Sequence, residues 1–464
     1  MASLLQTHPR IQAVLDPQYI PFALANRAYR QAVAQSGSAV TLAIAIERED
    51  GLVSRNDIKI FAPGSAHDAD TLRVIERHIK FLLWAQGGWK ITLSGPEYFC
   101  KAIQAEYAAA GKRGFDANLM ARVYEHPFTV ETVEMRRMPE AREVGASIGG
   151  HLDGCRIGFD LGASDYKVAA VIDGEAVFST EIRWDPVKQT DPNYHYSRIA
   201  EGFKLAASKM PRVDAIGGSS AGIFVANQPK IASLFRSVPE DQFKAVIQPM
   251  FLNLQKEWGV PLVVINDGDV TALAGAMSLK TSGILGVAMG SSEAVGYLNP
   301  AGRITGYLNE LAFAPVDANA AAVADEWSGD RGVGALYFSQ QAVNKLAPAA
   351  GIAFPTEMLL PERLKVAQDM ADRGDPNAAK IFETIGVYLG YTAPHYADYY
   401  DYAHMLILGR VTSGRGGEIL LETAQRVFAQ EFPAEAERIQ LHVPDEQSRR
   451  VGQAVAAASL PKIT

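Results

Sequence analysis

Two stretches of this chain share one grammar, and together they narrow what it can fold into. Arg156 to Val171 runs from an apolar strand through Asp160 to a small-residue turn at Gly162-Ala163-Ser164, then into a second apolar strand near Lys167. Ser282 to Leu298 repeats the pattern, with Gly290-Ser291-Ser292 at the bend and Asn299-Pro300-Ala301-Gly302 closing the next turn. Each reads as a β-hairpin. Small turn residues let an anion approach the backbone N–H groups closely, and a carboxylate at a strand end can hold a hydrated cation. A lone Asp-x-Gly-x-Ser turn is a weak signal, and taken by itself it fits an ordinary hairpin with a locally satisfied Asp better. Two such hairpins, one per lobe, could grip opposite sides of a polyphosphate.

Three further stretches lie in an order that would complete a nucleotide site. Val213 to Gly222 is a strand running into a glycine- and serine-rich loop with Ser219 and Ser220. In an open α/β sheet, ligands bind beyond the carboxyl ends of strands, where such a loop sits. Pro261 to Ile265 is wholly apolar, as in a strand buried on both faces, and leads into Asn266-Asp267 and a helix of small residues. Asp267 suits either a helix cap or a general base that takes the proton of a substrate hydroxyl, with Asn266 orienting that substrate. Met405 to Leu408 is another buried strand, and the glycine-rich loop Gly409 to Gly417 opens a helix from Glu418 to Phe432. N–H groups at that helix start could receive a phosphate or a nucleobase edge.

The remainder bounds the protein class. A chain of 464 residues buries sizeable cores and holds two or three domains. Hydrophobic content of 48% with 21% charged residues describes a globular protein, and the net charge of −8 disfavours a nucleic-acid binder driven by phosphate attraction. Cys100 and Cys155 read as buried free thiols, which supports no thiolate zinc site and fits a reducing cytoplasm. No membrane-length apolar run occurs. In the first 150 residues, strands at Ala39 to Glu47, Asp57 to Phe61 and Trp89 to Gly95 alternate with helices from Asp68 and Pro96. That order suits either a degenerate copy of the half-domain after Arg156 or an ordinary α/β unit. Met138 to His151, rich in glycine, reads as a linker. His395 and His404, nine apart, read as structural.

These stretches, in this order, resemble the superfamily of sugar kinases, actin and heat-shock chaperone ATPases, and within it the ROK family (repressors, open reading frames, kinases). The resemblance covers residues from about Arg156 onward. It implies an α/β fold of two ribonuclease-H-like lobes of the actin/sugar-kinase type, plus an N-terminal α/β extension. The implied domains are residues 1–150; 151–275 with the terminal helix 445–464; and 276–444. It implies ATP and Mg²⁺ as cofactors and a sugar as partner, while the family's zinc-binding cysteine cluster is missing, so no structural zinc is expected; the composition points to no nucleic acid, no membrane and a cytoplasmic protein, which could be a homodimer. Asp267 falls on the family's catalytic base. Asp160, Gly162, Ala163, Ser164 and Lys167 fall on the first phosphate motif, with Asp160 holding Mg²⁺ through water. Gly290, Ser291 and Ser292 fall on the second phosphate motif, and Gly409 and Arg410 on the adenosine loop. Asn266, Glu310, Ser219 and Ser220 fall on the sugar side.

The departures shape the expected function. Ser292 and Glu293 replace glycines, which predicts a negative charge beside the second phosphate loop. Phe313 stands where the sugar-motif His would be, a later sugar-binding Glu falls near Ala335, and Arg410-Val411 replaces Gly-Gly. The expectation is an ATP-dependent carbohydrate kinase, and these departures put the usual aldohexose substrates in question. The alternative is a catalytically impaired member that senses a sugar or nucleotide.

Overall fold

The computed structural model describes residues 3–143, 148–443 and 446–463. Residues 144–147 of the predicted linker and position 445 of the predicted terminal segment lie outside the described residues. Fifteen strands follow in chain order: β1 (Ala39–Glu47), β2 (Val53–Phe61), β3 (Lys90–Ser94), β4 (Thr129–Thr132), β5 (Cys155–Leu161), β6 (Asp165–Ile172), β7 (Glu175–Arg183), β8 (Ala215–Ser220), β9 (Ile223–Val225), β10 (Gln228–Ile231), β11 (Leu262–Asn266), β12 (Ile284–Met289), β13 (Glu293–Leu298), β14 (His404–Leu408) and β15 (Gln440–His442). The chain divides into two compact units. One comprises Met1–Gly145, Val287–Val295 and Gly306–Val443; the other comprises Ala146–Gly286, Gly296–Thr305 and Pro444–Thr464. The N-terminal segment therefore shares a unit with Gly306–Val443, and the helix Glu446–Ala458 shares one with β5 to β11.

In the unit containing β5, the strand order is β11-β8-β5-β6-β7. β5, β6 and β7 are antiparallel, while β8 and β11 run parallel to β5, a ribonuclease-H-like sheet. Period-two alternation gives the sheet two different faces. Ile157, Phe159 and Ile216 enter one core with Phe203 and Phe251. The opposite face carries Gly158 and Gly217, because the Ala-rich terminal helix lies directly on it. A Cβ at Gly158 would meet Ala454 O at 2.0 Å, and one at Gly217 would meet Ala457 O at 1.8 Å. Buried Arg156 fastens the end of that helix, donating to the carbonyls of Ala458 (3.3 Å) and Pro461 (2.7 Å) and pairing with Asp153. Those partners offset the cost of burying a guanidinium.

In the other unit, the N-terminal sheet has the order β2-β1-β3-β4. Here β3 runs antiparallel to β1, whereas β8 runs parallel to β5. Two strands, not three, precede the helix Asp68–Gln86, so the chain re-enters the sheet in the opposite sense. The N-terminal sheet thus differs in strand order and sense from the sheet around β5. A second sheet has the order β13-β12-β14-β15. The predicted loop from Gly409 to Gly417 is shorter than expected, since a helix already begins at Gly414 and runs to Glu431. Its glycines serve close packing: a Cβ at Gly416 would strike the Phe382 ring, and one at Gly417 would lie 2.0 Å from Thr412 O.

Candidate functional site

The carboxyl ends of three parallel strands converge where the chemistry was expected. Register aligns Asp160 of β5 with Ser219 of β8, and Ser219 with Ile265 of β11. Ser219 Oγ donates to Asp160 Oδ1 at 2.6 Å, and Lys167, the antiparallel partner of Asp160, sets its ammonium 3.7 Å from Oδ2. Ser220 is one residue further, so it lies on the opposite face, in register with Leu161 and Asn266. Its buried hydroxyl has no hydrogen-bond partner among the described residues. The two serines are therefore not equivalent.

Asp267 opens the helix Asp267–Leu279, whose N-cap is its neighbour. Asn266 Oδ1 accepts from the Gly268 N–H at 2.7 Å, and Asn266 Nδ2 donates to Gly222 O at 2.8 Å. Asn266 thereby caps the helix and holds the end of the Ser219-Ser220 loop, so the cap does not depend on Asp267 alone, whose carboxyl also faces the N–H groups of the first turn. Desolvation, and then the negative charge of Asp160, pushes the Asp267 carboxyl up to about 6 against the opposing N–H groups of Gly268 and Asp267. A carboxylate held near neutrality beside a second carboxylate has the chemistry of a general base.

The first turn is locked from beneath. The Trp184 indole donates to Gly162 O at 2.8 Å, the Trp184 N–H donates to Ser164 O at 3.2 Å, and the Gly162 N–H donates to Asp165 O. Ser164 Oγ donates to the Asp165 carboxylate at 2.8 Å, so this hydroxyl is engaged by an acid within its own loop. Asp160 offers one hard oxygen edge, shared with Lys167, and a divalent cation held through water fits that donor chemistry. Among the described residues no group of three or more His, Cys, Asp or Glu could hold a metal.

The second turn has a different floor. Gly290 N donates to Ser292 O at 3.0 Å, and Gly290 O accepts from Gln340 N at 2.9 Å. Glu293 is buried, accepts from the Tyr396 hydroxyl at 2.9 Å, and leaves Oε2 without a hydrogen-bond partner among the described residues. Burial raises its carboxyl to about 8, Tyr396 opposing and Glu310 adding to the shift. Burial thus disfavours the negative charge expected beside this loop. Gly334 makes the room, since a Cβ there would lie 2.0 Å from Glu293 Oε2.

Glu310 is set by the N-terminal segment. The N–H groups of Leu308, Asn309 and Glu310 donate to the last carbonyls of the helix Asp68–Gln86, namely Gln86, Ala85 and Trp84. Phe313 packs on Trp84 at 4.5 Å, so the position of the missing His is part of an aromatic contact. Gly409 has φ +95° and abuts the Met289 backbone, which sets the Gly409 and Gly290 turns side by side within one unit. Arg410 is exposed, with its carbonyl held by Gln368. At the start of the following helix, Asp372 accepts from Arg415 N at 2.9 Å, taking one N–H that a phosphate would use. Sequence reasoning missed Trp184, Tyr396 and Asp372, because each reaches its loop from a distant element. Asp165 was visible as the next residue after Ser164. His395 is buried and bonded to Pro315 O, and His404 contacts His442. No described helix is long and apolar enough to cross a membrane.

No family model and no curated protein matches the sequence. Solved structures do match. A ROK-family transcriptional regulator, described as a homologue of the E. coli MLC protein, aligns over 66% of this chain and 78% of its own, with 20% identity and a TM-score of 0.52. A ROK hexokinase from Thermus thermophilus aligns over 65% of this chain and 97% of its own, with 18% identity and a TM-score of 0.50. Together with the sheet order around β5, these matches show that the chain has the α/β fold of the ROK sugar kinases and regulators.

Proposed function

We propose that the protein is an ATP-dependent carbohydrate kinase of the ROK family that transfers the γ-phosphate to a sugar hydroxyl. The observation that carries this reading is Asp267, whose carboxyl sits near pH 6 beside Asp160 and whose helix is capped by Asn266. In the proposed reaction Asp267 accepts the proton of the attacking hydroxyl, while Ser220, Ser219, Asn266 and Glu310 position the sugar. Asn266 acts through the backbone it holds, since both ends of its amide are engaged. Gly162, Ala163, Ser164 and Lys167, with Gly290, Ser291 and Ser292, hold phosphate oxygens, and Gly409 and Arg410 flank the nucleoside. Asp160 would hold Mg²⁺ through water, and the metal would supply charge neutralisation at the β- and γ-phosphates.

The test is to incubate the purified protein with Mg-ATP and a panel of sugars and to follow ADP and sugar phosphate. Asp267→Asn should lower kcat about 10²–10⁴-fold with little change in sugar affinity. The wild-type rate should rise as pH passes about 6, since the base acts only after losing its proton. A second reading, a sugar or nucleotide sensor without turnover, is favoured by the acids that occupy the loops: Asp165 on Ser164 and Asp372 on Arg415 N. Sugar binding with no ADP release under any of these conditions would establish the sensor and end the kinase proposal.

A further inference from the structure

Away from these loops, in the unit that holds the N-terminal segment, there is a cavity of about 530 Å³. Its floor is an ion-pair network between the helix Asp68–Gln86, Arg113, Asp116 and Asp330. Arg77 pairs with Glu76 (2.8 Å) and Asp330 (2.9 Å), and Lys80 pairs with Asp116 (2.8 Å) and Asp330 (3.2 Å). Arg113 pairs with Glu76 (2.6 Å) and Asp330 (2.7 Å). Three cations and three anions cancel in this network. The lining adds Arg73, Lys112 and Arg331 against Glu106 and Asp317, with the Lys112 ammonium also 3.7 Å from Glu76.

Neither of those acids balances the added cations well. Asp317 is committed elsewhere, accepting from the Tyr337 hydroxyl and from the N–H groups of Ile20 and Asn319. Burial, and then Glu76, pushes the Glu106 carboxyl up. Arg73 donates to the Ala318 carbonyl and makes no ion pair among the described residues. Three buried atoms of the lining, Arg113 Nε and Nη2 and Glu106 Oε2, have no hydrogen-bond partner among the described residues, and of these Nε is engaged in the ion pair with Glu76. Arg113 is only 2% exposed, so its unused donor cannot turn to bulk water. A cavity with surplus positive charge, one orphaned cationic donor and one orphaned carboxyl oxygen calls for a ligand with complementary groups.

We infer that this cavity binds a small hydroxylated anion, whose carboxylate or phosphate is held by Arg73, Arg113 and Arg331 and whose hydroxyl meets Glu106. The volume lies within the range of small-molecule pockets, about 300–1,000 Å³, and is larger than a free phosphate needs. The inference does not depend on the kinase reading, because none of its residues belongs to the loops assigned above.

The test compares the full chain with the double variant Arg73→Gln/Arg331→Gln by titration calorimetry, using gluconate, glucose 6-phosphate, inorganic phosphate and neutral glucose as probes. Gluconate or glucose 6-phosphate should bind the wild type with Kd below about 1 mM, and at least about tenfold more weakly in the double variant. Glucose, which can occupy only another site, should have the same affinity in both proteins. Trp327, 78% exposed and next to the lining residue Ser328, gives an independent fluorescence signal that Trp327→Phe removes. Arg113→Lys keeps the charge but deletes the orphaned donor, and should weaken the same anions. The proposal falls if no anion binds at about 10 mM, or if anion affinity is equal in wild type and both variants, as when water alone fills the cavity. Inorganic phosphate binding as tightly as glucose 6-phosphate would overturn the role given to Glu106.

Discussion

The two glycine–serine hairpins look alike in sequence and differ in where their acid stands. In the first, Asp160 precedes the turn, at the end of β5, and stays partly exposed between Ser219 and Lys167. In the second, Glu293 follows the turn, starts β13, and is buried against Tyr396 and Gly334. The first acid is available to a cation or to a neighbouring carboxyl. Burial disfavours charge on the second and makes it part of the loop's support. A turn motif alone does not reveal which role its acid takes; that depends on whether a distant element covers it.

Exchanging charge for a neutral amide at each position should separate the two roles, and the largest effect belongs to the first hairpin. Asn at position 160 can still accept from Ser219, so Asp160→Asn removes charge while keeping that contact. Phosphoryl transfer should fall about 10²–10³-fold. Asp160 also raises the Asp267 carboxyl, so the acid limb of any residual pH–rate profile should move to lower pH. An unchanged rate would remove Asp160 from the reaction.

Glu293→Gln should have a smaller effect, and on stability instead of turnover. The folded Glu293 carboxyl lies at about 8, and an unfolded Glu near about 4.3. Between those values the folded state keeps a proton that the unfolded chain has released, so stability declines as pH rises through this window. The Gln variant should lack that decline and be about 5 kcal/mol more stable than wild type at pH 9, near wild type at pH 4, with kcat within about twofold. Urea melts at the two pH values measure this directly. A loss of activity as large as that of Asp160→Asn would mean the two hairpins are equivalent after all.

Much of this arrangement was legible from local pattern. The run Ala39 to Glu47 gave β1 with the bounds expected, and the apolar run ending in Asn266-Asp267 gave β11 and its helix. What was not legible depended on contacts across the sequence. The sense of β3 follows from how many strands precede a helix, which no local window contains. Gly416 and Gly417 look like loop residues until Phe382 and the Thr412 carbonyl are found against them. Glu293 reads as a charge until Tyr396, about a hundred residues later, is seen to cover it. For Asp267, cap and base were equally compatible with the letters, and a hydrogen bond from Gly268 to Asn266 favours the second.

The smallest effect should come from the element that supports the first turn. Trp184→Phe keeps an aromatic ring against Tyr166, whose centroid lies 5.1 Å away, and deletes only the indole donor to Gly162 O. The backbone bond from Trp184 N to Ser164 O survives, so the turn should loosen without unfolding. The cost should be about 1 kcal/mol, the usual net worth of one hydrogen bond. Hydrogen exchange at the Gly162 amide should quicken about fivefold, since its bond to Asp165 O closes the same turn. Amides around Gly290 should exchange at their wild-type rate, because that loop is held through Gln340 and does not use Trp184. Equal acceleration at both turns would mean that their supports are shared, and the contrast between the hairpins would have to be redrawn around a common scaffold.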